Sequence, residues 1–305
     1  MGPIRRVAGA LLLLGACAMG WAQDANETEQ KAAFEAARKV QVAGPGSVKL
    51  RDQAALALPA GYTFIPQTEA GRLLKSMGNR AGDNLVGVVF PASGGDWFAV
   101  IRYIHEGHIK DDEARDWNAD DLLKSLREGT EAANEDRAKR GIPGVEITGW
   151  AEKPAYDAAS HRLVWSAASR EKGTTGNQGL GVNYNTYALG REGYLSLNLV
   201  TDLDQLARFK PAALELLGAT EFNEGRRYAD FNGSTDKVAA YGLAALVAGA
   251  AAKKLGLFAL LLAFAAKFAK VIVVAAGGAV YGAGKLLGWR KARTQTAAQG
   301  PDPAP

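Results

Sequence analysis

Residues 181–200 read Gly-Val-Asn-Tyr-Asn-Thr-Tyr-Ala-Leu-Gly-Arg-Glu-Gly-Tyr-Leu-Ser-Leu-Asn-Leu-Val. From Tyr194 to Val200, Leu195, Leu197 and Leu199 alternate with Ser196 and Asn198. That period of two marks a strand with one buried face. A second strand, Val182–Leu189, precedes it, and only Gly190-Arg191-Glu192-Gly193 joins the two. So short a connection makes them antiparallel neighbours. Working outward, Val145–Glu152 and His161–Ala168 read as two further strands. Leu85–Phe90 and Trp97–Ile104 form another hairpin around the turn Pro91–Gly95. The sheet these hairpins imply is mainly antiparallel.

Helices punctuate the strands. The best defined runs from Ala119 to about residue 140, with Asn118 as N-cap and Asp120 and Asp121 in the first turn, where the helix dipole favours carboxylates. Trp117 and Leu122 have hydrophobic-staple spacing. Leu122, Leu123, Leu126, Thr130 and Ala133 form its inward stripe, and Gly141 and Pro143 stop it. A surface helix is expected over 26–40, then a break at Gly44-Pro45-Gly46. Short strands follow at Val48–Leu50 and Ala54–Leu58, then a helix from Thr68 to Met77. Asp202 and Gln205 have capping-box spacing for a helix that Pro211 bends and Gly218 ends, and a last strand is expected over Glu221–Phe231. The class is α+β, a mainly antiparallel sheet with helices packed on it. The order of elements resembles the PsbP-type α/β/α sandwich, a likeness of fold that does not fix function.

The ends carry different signals. Arg5 and Arg6, the apolar run Val7–Ala16, and the small residues Gly20 and Ala22 give residues 1–22 the three parts of a secretory signal peptide. Leu14-Gly15-Ala16-Cys17 also permits a lipobox reading, in which Cys17 is lipidated. At the other end, residues 238–289 are apolar and broken only by Lys253, Lys254, Lys267, Lys270 and Lys285. No acidic residue occurs from Val238 to Gly300. This region is expected to be a membrane-anchoring, transmembrane helical region. The best single span is Phe268–Leu287, with Trp289 at the interface and Arg290, Lys291 and Arg293 inside. A two-span hairpin, about 238–263 and 268–288, is the alternative, and Val238–Ala252 has a third option in the interface. The expected organisation is therefore signal peptide 1–22, N-terminal helix and linker 23–46, extracytoplasmic domain 47–232, anchor 238–289 and tail 290–305.

The chain has 36 Lys and Arg against 32 Asp and Glu. Ten of those basic residues but one acidic residue lie in the two ends, so the middle has five more acidic than basic residues. That balance speaks against nucleic acid as a partner. With Cys17 the only cysteine, the domain has no disulfide and no thiolate metal site.

The segment His105-Glu106-Gly107-His108-Ile109-Lys110-Asp111-Asp112 is the richest in potential ligands. His105 and His108 with Asp111 or Asp112 are candidate metal ligands, although the spacing and setting fail the zincin pattern. A polar loop leaving a strand is the plainer account. Asp116–Asp120 imitates the start of a calcium loop, but Asp121 stands where glycine is required and Arg127 where glutamate is. Ser166 and Ser169 lie near His161 without a nucleophile elbow. Gly173–Gly181 lacks Walker or dinucleotide spacing. Trp97, Trp150, Trp165, Tyr184 and Tyr187 are expected in the core. Nothing here calls for a cofactor.

Four phrases form a recognisable set: Leu58-Pro59-Ala60-Gly61-Tyr62-Thr63-Phe64-Ile65-Pro66, Asp116-Trp117-Asn118-Ala119-Asp120-Asp121-Leu122-Leu123, Gly181–Arg191, and Tyr228-Ala229-Asp230-Phe231-Asn232. They resemble the bacterial membrane-anchored proteins grouped as domain of unknown function family 2167. The resemblance implies a location, the inner membrane with the domain in the periplasm, and no catalytic residues. The expected function is a non-enzymatic binding or scaffolding module of the bacterial envelope. Its expected partners are the lipid bilayer and an envelope protein, or further copies of itself through the Gly/Ala-rich tail. A metal-dependent or hydrolytic enzyme using the His105–Asp121 segment is the alternative.

Overall fold

Tyr194 faces Leu189, and the ladder between these two strands runs without a slip to Asp202 opposite Gly181. The computed structural model that shows this describes residues 20–248, apart from positions 80, 116, 140, 177 and 178. Residues 1–19, which hold most of the expected leader and Cys17, and everything from residue 249 onward, including the expected span and tail, lie outside the described residues. Among the described residues no helix is long and apolar enough to cross a membrane.

In chain order the elements are α1 (Gly20–Val40), β1 (Val42–Ala43), β2 (Gly46–Leu50), β3 (Ala54–Leu58), β4 (Tyr62–Pro66), α2 (Gln67–Ser76), β5 (Leu85–Pro91) and β6 (Phe98–Ile104). There follow α3 (Ala119–Lys139), β7 (Val145–Asp157), β8 (Arg162–Glu171), β9 (Gly181–Leu189), β10 (Tyr194–Asp202), α4 (Leu206–Gly218), β11 (Thr220–Phe222) and α5 (Ala244–Ala248). Eight strands form one sheet in the order β1-β4-β5-β6-β10-β9-β8-β7, and β11-β3-β2 form a second. All neighbouring strands in both sheets are antiparallel.

Alternation divides the large sheet into two faces. Leu195, Leu197 and Leu199 of β10, with Ala99, Ile101 and Tyr103 of β6, point to the face covered by the small sheet and α4. The opposite face has two helical covers. α1 and α2 pack on β4 and β5 through Ala33, Leu73 and Leu74, while α3 and α5 pack over Leu163, Trp165 and Tyr187. The structure is thus α+β, with helices on one side and a mixture of helix and sheet on the other. Trp97, Trp165, Tyr184 and Tyr187 are buried. Trp150 is partly buried against Trp165.

Asn118 caps α3 as expected, accepting from the N–H groups of Asp120 and Asp121 at 2.8 and 3.2 Å. Three expectations need correction. β4 is a strand the sequence pattern did not announce. The strand after α4 ends at Phe222; the chain then turns at Gly225 (φ +74°), touches Gly190 by a single bridge at Arg227 and forms a 3-10 turn at Tyr228–Asp230, so no long strand exists there. Asp202 makes no side-chain cap; a 3-10 turn, Leu203–Gln205, leads into α4 instead.

The edge strand β7 is protected from its own helix. The Asn134 side chain accepts from Val145 N–H and donates to Val145 C=O, both at 2.8 Å, as a neighbouring strand would. Arg127 donates to the carbonyls of Ile147 and Thr148. Such plugs keep an edge from pairing with foreign chains. Asn134→Ala should cost about 1–2 kcal/mol in urea unfolding and raise the aggregation rate of the native protein. An unchanged midpoint would show that the edge is held by other contacts.

Candidate functional site

Beyond β6 the chain must turn sharply. Gly107 has φ +100°, and a Cβ there would meet the Lys237 carbonyl at 2.6 Å. Only glycine allows that approach. It brings His108 beside the segment 237–239: His108 N–H donates to Lys237 C=O at 2.8 Å, and Ala239 N–H donates to His108 C=O at 2.9 Å. The His108 ring is 7% exposed. Its centroid lies 3.9 Å from Phe231 and 4.2 Å from Tyr228, and Tyr228 lies 3.9 Å from His161. Two rings that close to a third must occupy its opposite faces. Phe231, His108, Tyr228 and His161 therefore form a four-ring stack.

Asp111 anchors the far end of this stack. Tyr156 donates to Asp111 Oδ2 at 2.6 Å, and Tyr156 Oη lies 3.1 Å from His161 Nδ1. His161 Nδ1 is 3.4 Å from the same carboxylate. Since the Tyr156 proton is committed to Asp111, a neutral His161 carries its own proton on Nδ1 and leaves Nε2 as an acceptor. His161 has φ +52°, a left-handed backbone in the β7–β8 turn that this pairing helps hold. Burial pushes the Asp111 carboxyl up, but Tyr156 and the neighbouring Tyr228 hydroxyl and His161 ring outweigh it and hold it below the usual carboxylate value. Burial and then Asp111 push the Tyr156 phenol far up. Burial pushes the His108 imidazole below its usual value, against the opposing pull of the Arg191 backbone carbonyl and Asp111. His108 Nδ1 is buried without a hydrogen-bond partner, which suits a neutral ring protonated on Nε2.

A second fastening lies a few residues on. Arg191, from the β9–β10 turn, holds Asp236 through two hydrogen bonds of 2.7 and 2.8 Å. Arg191 depresses the Asp236 carboxyl, helped by the Asn232 N–H. The chain then buries Leu243, Leu246 and Val247 against Ile109, Leu122, Leu126 and Tyr187. Tyr187 donates to Leu246 C=O at 3.2 Å, and the Glu113 carboxylate accepts from Ala244 N–H at 2.6 Å. The first part of the region expected to anchor the protein, 238–248, is thus packed on the domain.

The four candidate ligands are placed in different surroundings. His105 is exposed near Tyr103, His108 is enclosed by rings, Asp111 pairs with Tyr156 and His161, and Asp112 is exposed. Among the described residues no group of three or more His, Cys, Asp or Glu side chains gathers where it could hold a metal. Ser166 and Ser169 each donate to a backbone carbonyl, of Asn183 and Gly181, rather than to His161. A shallow hollow of about 400 Å³ beside α3 and β7 is lined by Arg127, Glu131, Glu146 and Arg170. Its charges are already spent, Arg170 on Glu146, Lys172 on Glu131 and Arg127 on carbonyls. Sequence reasoning missed Tyr156 and Tyr228 at the site. The signal available for Tyr228 was the phrase Tyr228–Asn232, two of whose residues supply rings to the stack.

No curated protein matches the chain. Seven chains of solved structure match it. One is cyanobacterial PsbP from Synechocystis sp. PCC 6803, solved in solution, with 11% sequence identity, covering 60% of this chain and 91% of that one at a TM-score of 0.35. The family profile described as "Protein of unknown function (DUF2167)" matches residues 42–277, more than three quarters of the sequence, and the chain belongs to that family.

Proposed function

We propose that the protein is a non-enzymatic binding or scaffolding module of the bacterial envelope, exported by its leader and held at the inner membrane by the region after residue 248. The observation that carries this reading is the way residues 228–248 are built into the domain. Stacked rings, the Arg191–Asp236 pair and three buried aliphatic side chains fasten this segment. No polar linker separates it from the apolar, lysine-punctuated sequence that follows. A segment ordered in advance lowers the entropic cost of taking up a partner, which suits a binding or scaffolding module. The histidine cluster supports the same reading, because Asp111, Tyr156 and His161 Nδ1 bond to one another and, among the described residues, neither Ser166 nor Ser169 bonds to His161. The test is extraction and capture of the full-length chain from native membranes. Retention in the membrane after alkaline carbonate, protease access to the domain only from the periplasmic side, and reproducible capture of one stoichiometric partner after crosslinking are expected. Release by carbonate, or a domain protected in intact spheroplasts, would overturn the location. Capture of no partner would overturn the scaffold.

A further inference from the structure

The flank opposite β7 is unlike the plugged edge. The Ala57 N–H donates to Ala219 C=O, so Ala55 and Ala57 of β3 face β11, and Leu56 and Leu58 face β2. Within β2, Val48 and Leu50 therefore pair with β3, while Ser47 and Lys49 turn their N–H and C=O groups outward. β1 behaves alike: Gly44 N–H goes to Tyr62 C=O, Val42 faces β4, and Ala43 faces away. Both open edges lie in one stretch of chain, 42–50, and residues 38–43, 45–47 and 49 are all exposed. Val40 and Val42, 38% and 40% exposed, are two of the four large hydrophobic side chains left in solvent among the described residues.

Charge sets the occupant. From Ala36 to Arg51 there are four basic residues and no acidic one, in a chain whose middle is acidic overall. Arg51 spends its guanidinium on the carbonyls of Asp83 and Leu85. Arg38, Lys39 and Lys49 make no ion pair among the described residues. A second copy would bring the same cations against them, and like charges across a new strand pair oppose it. We propose that this flank is a docking edge that takes an extended, acidic segment of a partner protein by strand addition to β2. Main-chain hydrogen bonds at Ser47 and Lys49 give the pairing, and alternation gives the specificity. One row of the added strand lies beside the exposed Ser47 and Lys49 side chains and is acidic. The other lies beside the buried Val48 and Leu50 and is apolar.

The inference deepens the scaffold reading and rests on it. Its test uses the full-length chain in mild detergent and a fluorescent peptide of alternating glutamate and valine, with a lysine-for-glutamate peptide as control. The glutamate peptide should bind and the lysine peptide should not. Lys49→Pro removes an outward N–H that no internal ladder uses. It should weaken binding by about tenfold or more with unchanged thermal unfolding. Ser47→Pro removes the other outward N–H and serves if the first variant unfolds early, and Lys49→Glu should weaken binding with the backbone donor intact. Equal binding of the two peptides, no binding, or undiminished binding to both proline variants would overturn the proposal. So would self-association lost in Lys49→Pro, which would give the edge to a second copy. A membrane partner still captured by the Lys49→Pro chain would remove the edge and leave the scaffold reading standing.

Discussion

Leu243→Ala should lower the stability of the domain by about 3 kcal/mol, within the range for deleting a fully buried leucine side chain. Leu243 is 0% exposed and sits in the cluster with Ile109, Leu122 and Tyr187, although it lies inside a stretch whose composition suits a membrane. The neighbouring Val238, 40% exposed, gives the contrast: Val238→Ala should stay within about 0.5 kcal/mol. Thermal unfolding of the full-length chain in detergent, followed by near-ultraviolet circular dichroism, reads both. If residues 238–248 belonged only to lipid, the two substitutions would be equally silent. Leu243→Asp should be more severe, since it leaves a charge without partner among aliphatic side chains. A silent Leu243→Ala would detach this segment from the domain and remove the main support for the proposed scaffold.

The pattern of residues made much of this architecture legible. The alternation of Leu195, Leu197 and Leu199 placed a half-buried strand, and the four-residue connection placed its partner. Gly193 shows why that connection is glycine-rich, since a Cβ there would strike the Ile104 carbonyl of the next strand. Asn118 announced its helix because a cap is local chemistry, complete within three residues. β4 stayed hidden because Thr63, Phe64 and Ile65 are all buried, so it shows no alternation, and Pro59 and Pro66 bracket it like a loop. Residues 238–248 were ambiguous in a different way. Alanine, leucine and valine bury equally well in lipid and in a protein core, so only the complementary surface of Ile109, Leu126 and Tyr187 distinguishes them. The site was legible in part. His108 and Asp111 stood out as titratable residues in one loop, but the groups that define their chemistry are distant in sequence. Tyr156 reaches Asp111 across 45 residues, and Tyr228 reaches the Ile109 carbonyl across 119. Neither separation leaves a local trace.

Acidification from pH 7 to pH 5 should weaken the fastening of the same segment through His108. Burial lowers the imidazole below its ordinary value of 6.5, so the folded state binds fewer protons than the unfolded one in the interval beneath 6.5. Stability linked to this group is complete above that value and is lost as pH falls toward the folded one, with a slope of at most about 1.4 kcal/mol per pH unit. The structural reason is specific. A protonated ring would carry an Nδ1–H that nothing accepts, between Tyr228 and Phe231. Asp111, Asp236 and the Arg191 carbonyl favour the charged ring, while His161 and desolvation oppose it, and desolvation is the largest of these. Asp111 acts in a lower window: its folded value is depressed below 3.8, so its contribution is present above that value and fades beneath it. His108→Phe keeps a ring in the stack and removes the proton. It should cost about 1 kcal/mol at pH 7 for the lost hydrogen bond and flatten the profile between pH 7 and 5. His108→Ala should cost about 2–3 kcal/mol at pH 7 by opening the stack, and less at pH 5, where the wild type has lost part of its His108-linked stability. Limited proteolysis between Phe231 and Leu243 should accelerate for wild type at pH 5 but not for His108→Phe. Parallel profiles for wild type and His108→Phe would move the pH dependence to other groups and leave His108 a packing residue alone.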